Sequence, residues 1–172
     1  NSGVGQTLSV NFVPTDGINY NSVNRSVLIT VNKANLTATG VSTSRIYGAP
    51  NPTFVITYSG FVNSENIGVI DTAPLATCSA IAGDNAGGTF PIIPSGGVDN
   101  NYTFAYVNGT LTITKASLTA KADDKSRSYG LANPAFTISY TGFVNGDTDS
   151  EITKPTAATV ATPLSNVGAY PI

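Results

Sequence analysis

The stretch YGAPNPTFVITYSGFVN, residues 47–63, is followed at residues 129–145 by YGLANPAFTISYTGFVN. Both segments keep a tyrosine–glycine pair, an asparagine–proline pair and a GFVN ending at the same spacing. Near-identity at a fixed offset, here 82 residues, is the signature of tandem structural repeats. We therefore expect the chain to consist of copies of one folding unit.

The same offset extends on both sides of this stretch. Upstream, VNKA at Val31 aligns with ITKA at Ile113. Downstream, GTFPI at Gly88 aligns with GAYPI at Gly168 after a shortening of two residues. The alignments predict that the chain has three parts. They are the N-terminal segment (1–33, the C-terminal part of a preceding β repeat), the first repeat (34–115, complete) and the second repeat (116–172, the N-terminal part of the next).

Both ends of the chain fall within a repeat, which predicts a fragment of a longer repetitive protein. An alternative is that the two partial repeats complete each other across neighbouring molecules. Almost no linker separates the repeats, because TLTITKASLTA runs from the last predicted strand of one into the first of the next. We therefore expect adjacent repeats to be held semi-rigidly.

Composition and patterning predict an all-β fold. Apolar residues make up 41% of the chain and allow a packed core, whereas strong helix formers are scarce and glycine and proline are frequent. The first repeat contains about six predicted strands and one short helical turn with Asn63 or Ser64 as its N-cap. The fold expected is a small immunoglobulin-like β-sandwich of about 82 residues, and a β-grasp-like module is the alternative.

Two local signals refine this topology. The prolines of TFPIIPS, residues 89–95, predict that this strand lies at a sheet edge or at a bulge, because proline cannot donate a ladder hydrogen bond. Asn108-Gly109 between alternating segments predicts a tight β-hairpin.

The motifs Y-G-x-x-N-P, Y-x-G-F-V-N, G-x-F/Y-P-I and N-Y-x-x-x-Y-V-N-G-T-L-T-I-T-K-A resemble the MBG repeat family of the YGX type. The resemblance covers roughly residues 35–172, and the F-x-P-T-D-x-x-N-Y run before it resembles the end of a bacterial Ig-like repeat. It implies tandem modules in large, adhesin-like bacterial proteins, located extracellularly at the cell surface. Mucin or glycan binding is implied by the family name alone, and no ligand residue carries over.

No catalytic or cofactor-binding residue is predicted. The chain has no histidine, which excludes a histidine triad, and it has neither a P-loop nor a G-x-S-x-G motif, so we expect no enzyme. The acidic cluster Asp147, Asp149 and Glu151 is a weak candidate for calcium, which prefers several oxygen ligands. Tyr47 and Tyr129, each followed by glycine, are weak candidates for stacking on a sugar.

Charge and hydropathy limit the partners. Eight lysines and arginines against ten acids give no basic patch for nucleic acid. No apolar run approaches the ~18 residues of a membrane span, so no membrane insertion is expected. The partners expected are the neighbouring repeats, with host or environmental glycans and self-association as alternatives.

We expect a structural repeat that forms the stalk or fibre backbone of an adhesin. An adhesive module for glycan or mucin is the first alternative, and it predicts aromatic and polar side chains around an exposed groove in every repeat. A filament subunit completed by strand exchange between chains is the second.

Overall fold

Alternating apolar and polar residues organise the chain into short strands, as expected for half-buried β-structure. The computed structural model describes residues 3–172. The strands are β1 (Gly3–Phe12), β2 (Val23–Val31), β3 (Ala34–Gly40), β4 (Thr43–Ile46), β5 (Ile56–Ser59), β6 (Leu75–Thr77), β7 (Thr89–Ser95), β8 (Tyr102–Val107), β9 (Gly109–Thr114), β10 (Thr119–Ala122) and β11 (Ile138–Thr141). Two 3₁₀ turns lie at Ile67–Val69 and Asp149–Glu151. Throughout the described range, no helix has the length and apolar character needed to cross a membrane.

The first repeat contains a three-stranded sheet and a four-stranded sheet. The first sheet has the order β5-β3-β8, with β3 antiparallel to β5 and parallel to β8. The second has the order β4-β9-β7-β6. The prediction of an all-β sandwich is confirmed. Because the longest helical segment in residues 3–172 has three residues, the structure lacks the helix that a β-grasp module requires.

The chain divides into two compact units. One contains residues up to Thr43, Pro52–Ser79 and Thr89–Leu111, and the other contains Ser44–Asn51, Ala80–Gly88 and Thr112–Ile172. In the first unit, β3, β7, β8 and β9 contribute side chains that are at most 2% exposed: Leu36, Ala38, Ile92, Tyr102 and Leu111. The second unit contains β10 and β11, which form a two-stranded sheet with each other.

The N-cap prediction for the helical turn is wrong. The turn begins at Ile67, and its N-cap is Asn66, whose Oδ1 accepts a hydrogen bond from the Gly68 amide at 2.9 Å. Asn63 and Ser64 have φ angles of 55° and 59°, in the left-handed region, whereas an N-cap residue is extended. They form the loop that precedes the turn.

The hairpin prediction at Asn108-Gly109 is also wrong, since β8 and β9 belong to different sheets. A two-residue hairpin of this composition needs positive φ at both positions, and neither residue has it. The glycine is required for close packing instead. A Cβ atom on Gly109 would lie 2.7 Å from the carbonyl carbon of Gly40, so the two main chains touch where the chain crosses between sheets.

The predicted edge position of residues 89–95 needs correction. β7, which carries Pro91 and Pro94, is not an edge strand but lies between β9 and β6. The three-residue β6 pairs only with residues 93–95, which leaves the start of β7 without β6 as a neighbour. Residues 43–46 form β4, and the YG turn follows this strand.

Asp99 anchors the loop before β8 although only 4% of its surface is exposed. Its Oδ1 accepts hydrogen bonds from the amides of Asn101 at 2.7 Å and Tyr102 at 2.8 Å, and its Oδ2 accepts one from Asp71 at 3.3 Å. Burial raises the pKa of Asp99, but these amide donors and the charge of Lys33 outweigh it, so the pKa lies below its ordinary value of 3.8. The ionised carboxylate therefore stabilises the fold.

A pH titration of stability tests the role of Asp99. A lowered pKa in the folded state means that the stabilisation is present above the unfolded pKa and is lost as pH falls through the folded value. We expect Asp99→Asn to be less stable than wild type at neutral pH, and the difference in free energy of unfolding to shrink below pH 3.8. Urea unfolding of both proteins across this range measures it. A difference that is constant with pH would contradict the prediction.

The contact between sheets gives a second test. A Cβ on Gly40 would lie 2.9 Å from the Gly109 amide nitrogen and 3.0 Å from the Ile92 carbonyl oxygen. Because backbone atoms cannot move aside easily, we expect Gly40→Ala to lower the free energy of unfolding by about 1–3 kcal/mol. Gly83→Ala is the matched control, since a Cβ there meets nothing within 4 Å. Equal stability of the two variants in urea unfolding would show that the close approach is unimportant.

Candidate functional site

The side chains of Arg45 and Asn51 form a hydrogen-bonded network, the arginine clasp, which fixes the turn after β4 in the first repeat. The Nε of Arg45 donates to Oδ1 of Asn51 at 2.9 Å, and its Nη2 donates to the Ile81 carbonyl. Asn51 continues the network, because its Nδ2 donates to the Ala80 carbonyl at 2.7 Å. The planar guanidinium thus ties the tyrosine–glycine turn to the loop before β7.

The second repeat contains the same clasp. The Nε of Arg127 donates to Oδ1 of Asn133 at 2.7 Å, its Nη2 donates to the Thr162 carbonyl, and Nδ2 of Asn133 donates to the Ala161 carbonyl at 2.8 Å. Sequence analysis missed both arginines. The signal was available, because the offset that aligns the two YG turns also aligns Arg45 with Arg127 in S-R-x-Y-G-x-x-N-P.

Among the described residues, the clasp arginines have no carboxylate partner. Over residues 3–172 the one ion pair joins Lys154 to Asp149 at 2.6 Å, on the surface. Arg45 is only 6% exposed, so main-chain carbonyls and the Asn51 amide oxygen must compensate its charge. A buried polar group without hydrogen bonds is costly, and this full set of partners makes the clasp a structural element rather than a reactive one.

The two tyrosine candidates occupy different environments. Tyr47 is half-buried, and its amide donates to the Thr114 carbonyl in β9 at 2.8 Å. Tyr129 is 62% exposed and lines a groove in the second repeat. The structure therefore does not place the repeated tyrosine in the same setting twice.

The groove in the second repeat has a volume of about 410 Å³. Its lining includes two segments, Lys125–Arg127 with Tyr129 and Val167–Ile172. The corresponding segments of the first repeat hold β9 between them. There, the Gly87 amide donates to the Ile113 carbonyl at 2.8 Å, and the Ile113 amide donates to the Gly88 carbonyl at 3.0 Å. The groove is therefore the place that β9 fills in the first repeat.

The acidic cluster caps the second 3₁₀ turn. Glu151 and Thr148 form a capping box, in which the carboxylate accepts a hydrogen bond from the Thr148 amide at 2.7 Å. That bond, with others from Ser150 and the Thr148 hydroxyl, lowers the pKa of Glu151. Asp149 pairs with Lys154, and no three metal-ligating side chains are grouped anywhere in the described residues. Calcium binding by Asp147, Asp149 and Glu151 stays a prediction.

A small contact joins the two repeats within the second unit. A Cβ on Gly48 would lie 2.6 Å from Cγ2 of Val144 and 2.8 Å from Cβ of Val144. The Val144 side chain therefore packs directly against the main chain of Gly48, where any larger residue would clash with it. The neighbouring Asn145 donates from Nδ2 to the Ala82 carbonyl at 3.0 Å. The GFVN loop of the second repeat thus contacts both the YG turn and the clasped loop of the first.

The family model described as MBG domain (YGX type) matches residues 36–112 and 118–172. The two matched segments include both YG turns and both clasps, and residues 113–117 between the repeats lie outside them. The chain matches no curated protein and no solved structure.

Substitution of the two clasp arginines is expected to lower stability by different amounts, because their burial differs. We expect Arg45→Ala to lower the free energy of unfolding by about 2–3 kcal/mol, because buried carbonyls lose a charged donor. Arg127 is half-buried, so water can replace its bonds and Arg127→Ala should cost about 1 kcal/mol. Urea unfolding of the full chain measures both.

The matched control is Arg25→Ala, which removes an exposed arginine from β2. We expect it to leave stability nearly unchanged. If Arg45→Ala were no more destabilising than this control, the clasp would contribute nothing to the fold.

Proposed function

Because the chain belongs to the MBG domain family of the YGX type, we propose that it is a structural repeat in the stalk or fibre backbone of a large bacterial surface adhesin. Repeats of this family are modules of surface proteins. An extracellular location at the bacterial surface and the absence of catalysis are parts of the same proposal.

The observation that carries the proposal is the direct junction between the repeats. β9 ends at Thr114 and β10 begins at Thr119, so only residues 115–118 separate the last strand of one repeat from the first of the next. The contacts of Val144 with Gly48 and of Asn145 with Ala82 reinforce this short connection. A short connection that is also packed limits hinge motion, which is what a spacer requires.

The adhesive alternative is supported by one side chain. Tyr129 is largely exposed beside a groove, and exposed aromatic rings can stack on sugars. An adhesive repeat would present this site in every copy, but in the first repeat β9 fills the equivalent space and the amide of Tyr47 bonds to it. Repetition therefore favours the structural role over the adhesive one.

Motion at the junction tests the proposal. We expect Val144→Ala/Asn145→Gly to loosen the junction, because it removes both contacts while glycine keeps the φ of 56° that Asn145 adopts. ¹⁵N relaxation should give one rotational correlation time for Ser44–Asn51 and for β11 in the wild type, and two different times in the variant.

The matched control is Val62→Ala/Asn63→Gly, the same change in the first repeat, where Asn63 also has a left-handed φ of 55°. The control should tumble as the wild type does. Independent tumbling already in the wild type would refute the spacer role. Glycan binding that Tyr129→Ala abolishes and Tyr47→Ala preserves would support the adhesive alternative instead.

A further inference from the structure

We propose that β8 of the first repeat is a dimerisation edge, which pairs antiparallel with β8 of a second copy of this chain. The partner is thus another molecule of the same chain, bound by main-chain hydrogen bonds between two sheet edges. The two β5-β3-β8 sheets then merge into one continuous sheet. This inference goes beyond the spacer role and does not depend on it.

β8 is an edge strand. In the order β5-β3-β8 it pairs with β3 on one side, and no strand in residues 3–172 pairs with its other side. The strand lies inside residues 36–112, the stretch that the family model matches without a break. The free edge is therefore a feature of the module itself.

The ladder between β3 and β8 determines which main-chain groups face the free edge. The Ala34 amide donates to the Asn101 carbonyl at 2.8 Å, so the Asn101 carbonyl points to β3. Because successive residues of a strand direct their main-chain groups to opposite sides, those of Phe104 and Tyr106 point away from β3. No described residue bonds to the amides or carbonyls of these two residues. Two donors and two acceptors are thus available at the edge.

The available groups define the register of the pair. Tyr102, at the start of β8, has its amide bonded to Oδ1 of Asp99 at 2.8 Å, so Phe104 and Tyr106 are the residues with both groups available. Facing residues of antiparallel strands exchange two hydrogen bonds. Phe104 of each copy therefore faces Tyr106 of the other, and the two Ala105 residues face each other on the two-fold axis.

The side chains of β8 suit this register. Antiparallel residues that face each other without exchanging hydrogen bonds approach most closely, with Cα atoms about 4.5 Å apart, and the small side chain of Ala105 fits there. On the other face of the sheet, each Phe104 ring meets the Tyr106 ring of the second copy, and such aromatic pairs stabilise a sheet. Tyr106 is 40% exposed in one molecule, so the pairing also covers apolar surface.

β8 has none of the features that keep sheet edges apart. Such features are short length, charged side chains, proline and bulges. The strand YTFAYV, residues 102–107, contains no charge, no proline and no glycine. The other edge strands of the two sheets, β4, β5 and β6, have four, four and three residues, whereas β8 has six. The net charge of -2 adds little repulsion between two copies. An uncharged, unprotected edge of this length is a site for strand pairing.

Both molecules use the same surface, so the contact is isologous. An isologous contact closes on itself and leaves no second copy of the surface free. The expected product is therefore a dimer that does not grow further.

Sedimentation of the full chain over a wide range of concentrations tests the proposal. We expect the wild-type mass to rise from 17.6 kDa to twice that value and then to stay constant. Ala105→Lys should keep the chain monomeric, because it places two like charges directly opposite each other. Ser59→Lys is the matched control and should associate as wild type, since Ser59 and Ala105 are both exposed and both lie opposite Thr37, on the two edges of one sheet.

Charge reversal tests the register. Ala105→Glu alone should also remain monomeric, whereas its equimolar mixture with Ala105→Lys should form a dimer, because lysine then faces glutamate. If circular dichroism shows that a single variant has lost its strands, Thr103→Lys/Val107→Lys and Thr103→Glu/Val107→Glu replace the two. In the proposed register, Thr103 of each copy faces Val107 of the other.

Hydrogen exchange locates the contact. In the wild type, the Phe104 and Tyr106 amides should exchange more slowly at concentrations that give dimer than at concentrations that give monomer. In Ala105→Lys they should exchange rapidly at both. The Val107 amide, which faces β3 by the same alternation, is the internal control and should be equally protected at both concentrations.

Four outcomes would overturn the proposal. They are a wild-type chain that remains monomeric at every concentration, a mass that continues to rise beyond that of the dimer, an Ala105→Lys variant that associates as wild type, and a mixture of the lysine and glutamate variants that forms no dimer. Exchange at the Phe104 and Tyr106 amides that is the same in monomer and dimer would also overturn it, because the molecules would then associate through another surface.

Discussion

The hydrogen bonds that hold β9 beside the YG turn and the start of β7 are the interaction on which the sandwich depends. They fix a strand whose Leu111 and Ile113 are almost completely buried. Where the corresponding strand has no such neighbours, as in β2, the same apolar pattern lies in solvent. In the second repeat, no strand of the described residues takes this place, and a groove lies there. Burial of these apolar side chains thus depends on whether one strand finds its place.

The periodicity of apolar residues and the internal repeat were enough to predict the fold class. Features that depend on contacts between distant segments could not be predicted from them. The alternation in Ala34–Gly40 and the repeated YG segment sufficed to predict strands and tandem units. Asn108-Gly109 misled because glycine serves two purposes, positive φ and close packing, and only the position of Gly40 shows which applies. Asn66 was missed as N-cap because three residues of N-cap type, Asn63, Ser64 and Asn66, precede the turn. Their φ angles, not their identities, distinguish them.

In the candidate site, too, local sequence predicts some features, and contacts with distant segments determine the others. Tyr47 and Tyr129 have nearly identical local sequences, yet one is half-buried and the other is exposed. The Tyr47 amide is bonded to β9, and no strand in the described part of the second repeat takes that place. The two clasp arginines could have been predicted from the repeat alignment, since Arg45 and Arg127 match at the repeat offset. Their carbonyl partners could not be predicted, because every residue has a main-chain acceptor and none has a sequence signature.

The parallel pairing of β3 with β8 has a mechanical consequence. The chain enters the first repeat at the beginning of β3 and leaves it through β8 and, after Asn108, β9. Tension along the polypeptide therefore pulls β3 backwards and β8 forwards, which slides the two strands past each other. The ladder from Ala34 to Thr39 is then loaded in shear, with all its hydrogen bonds resisting together rather than opening one at a time. A repeat connected in this way bears load along its length, whatever its ends are attached to.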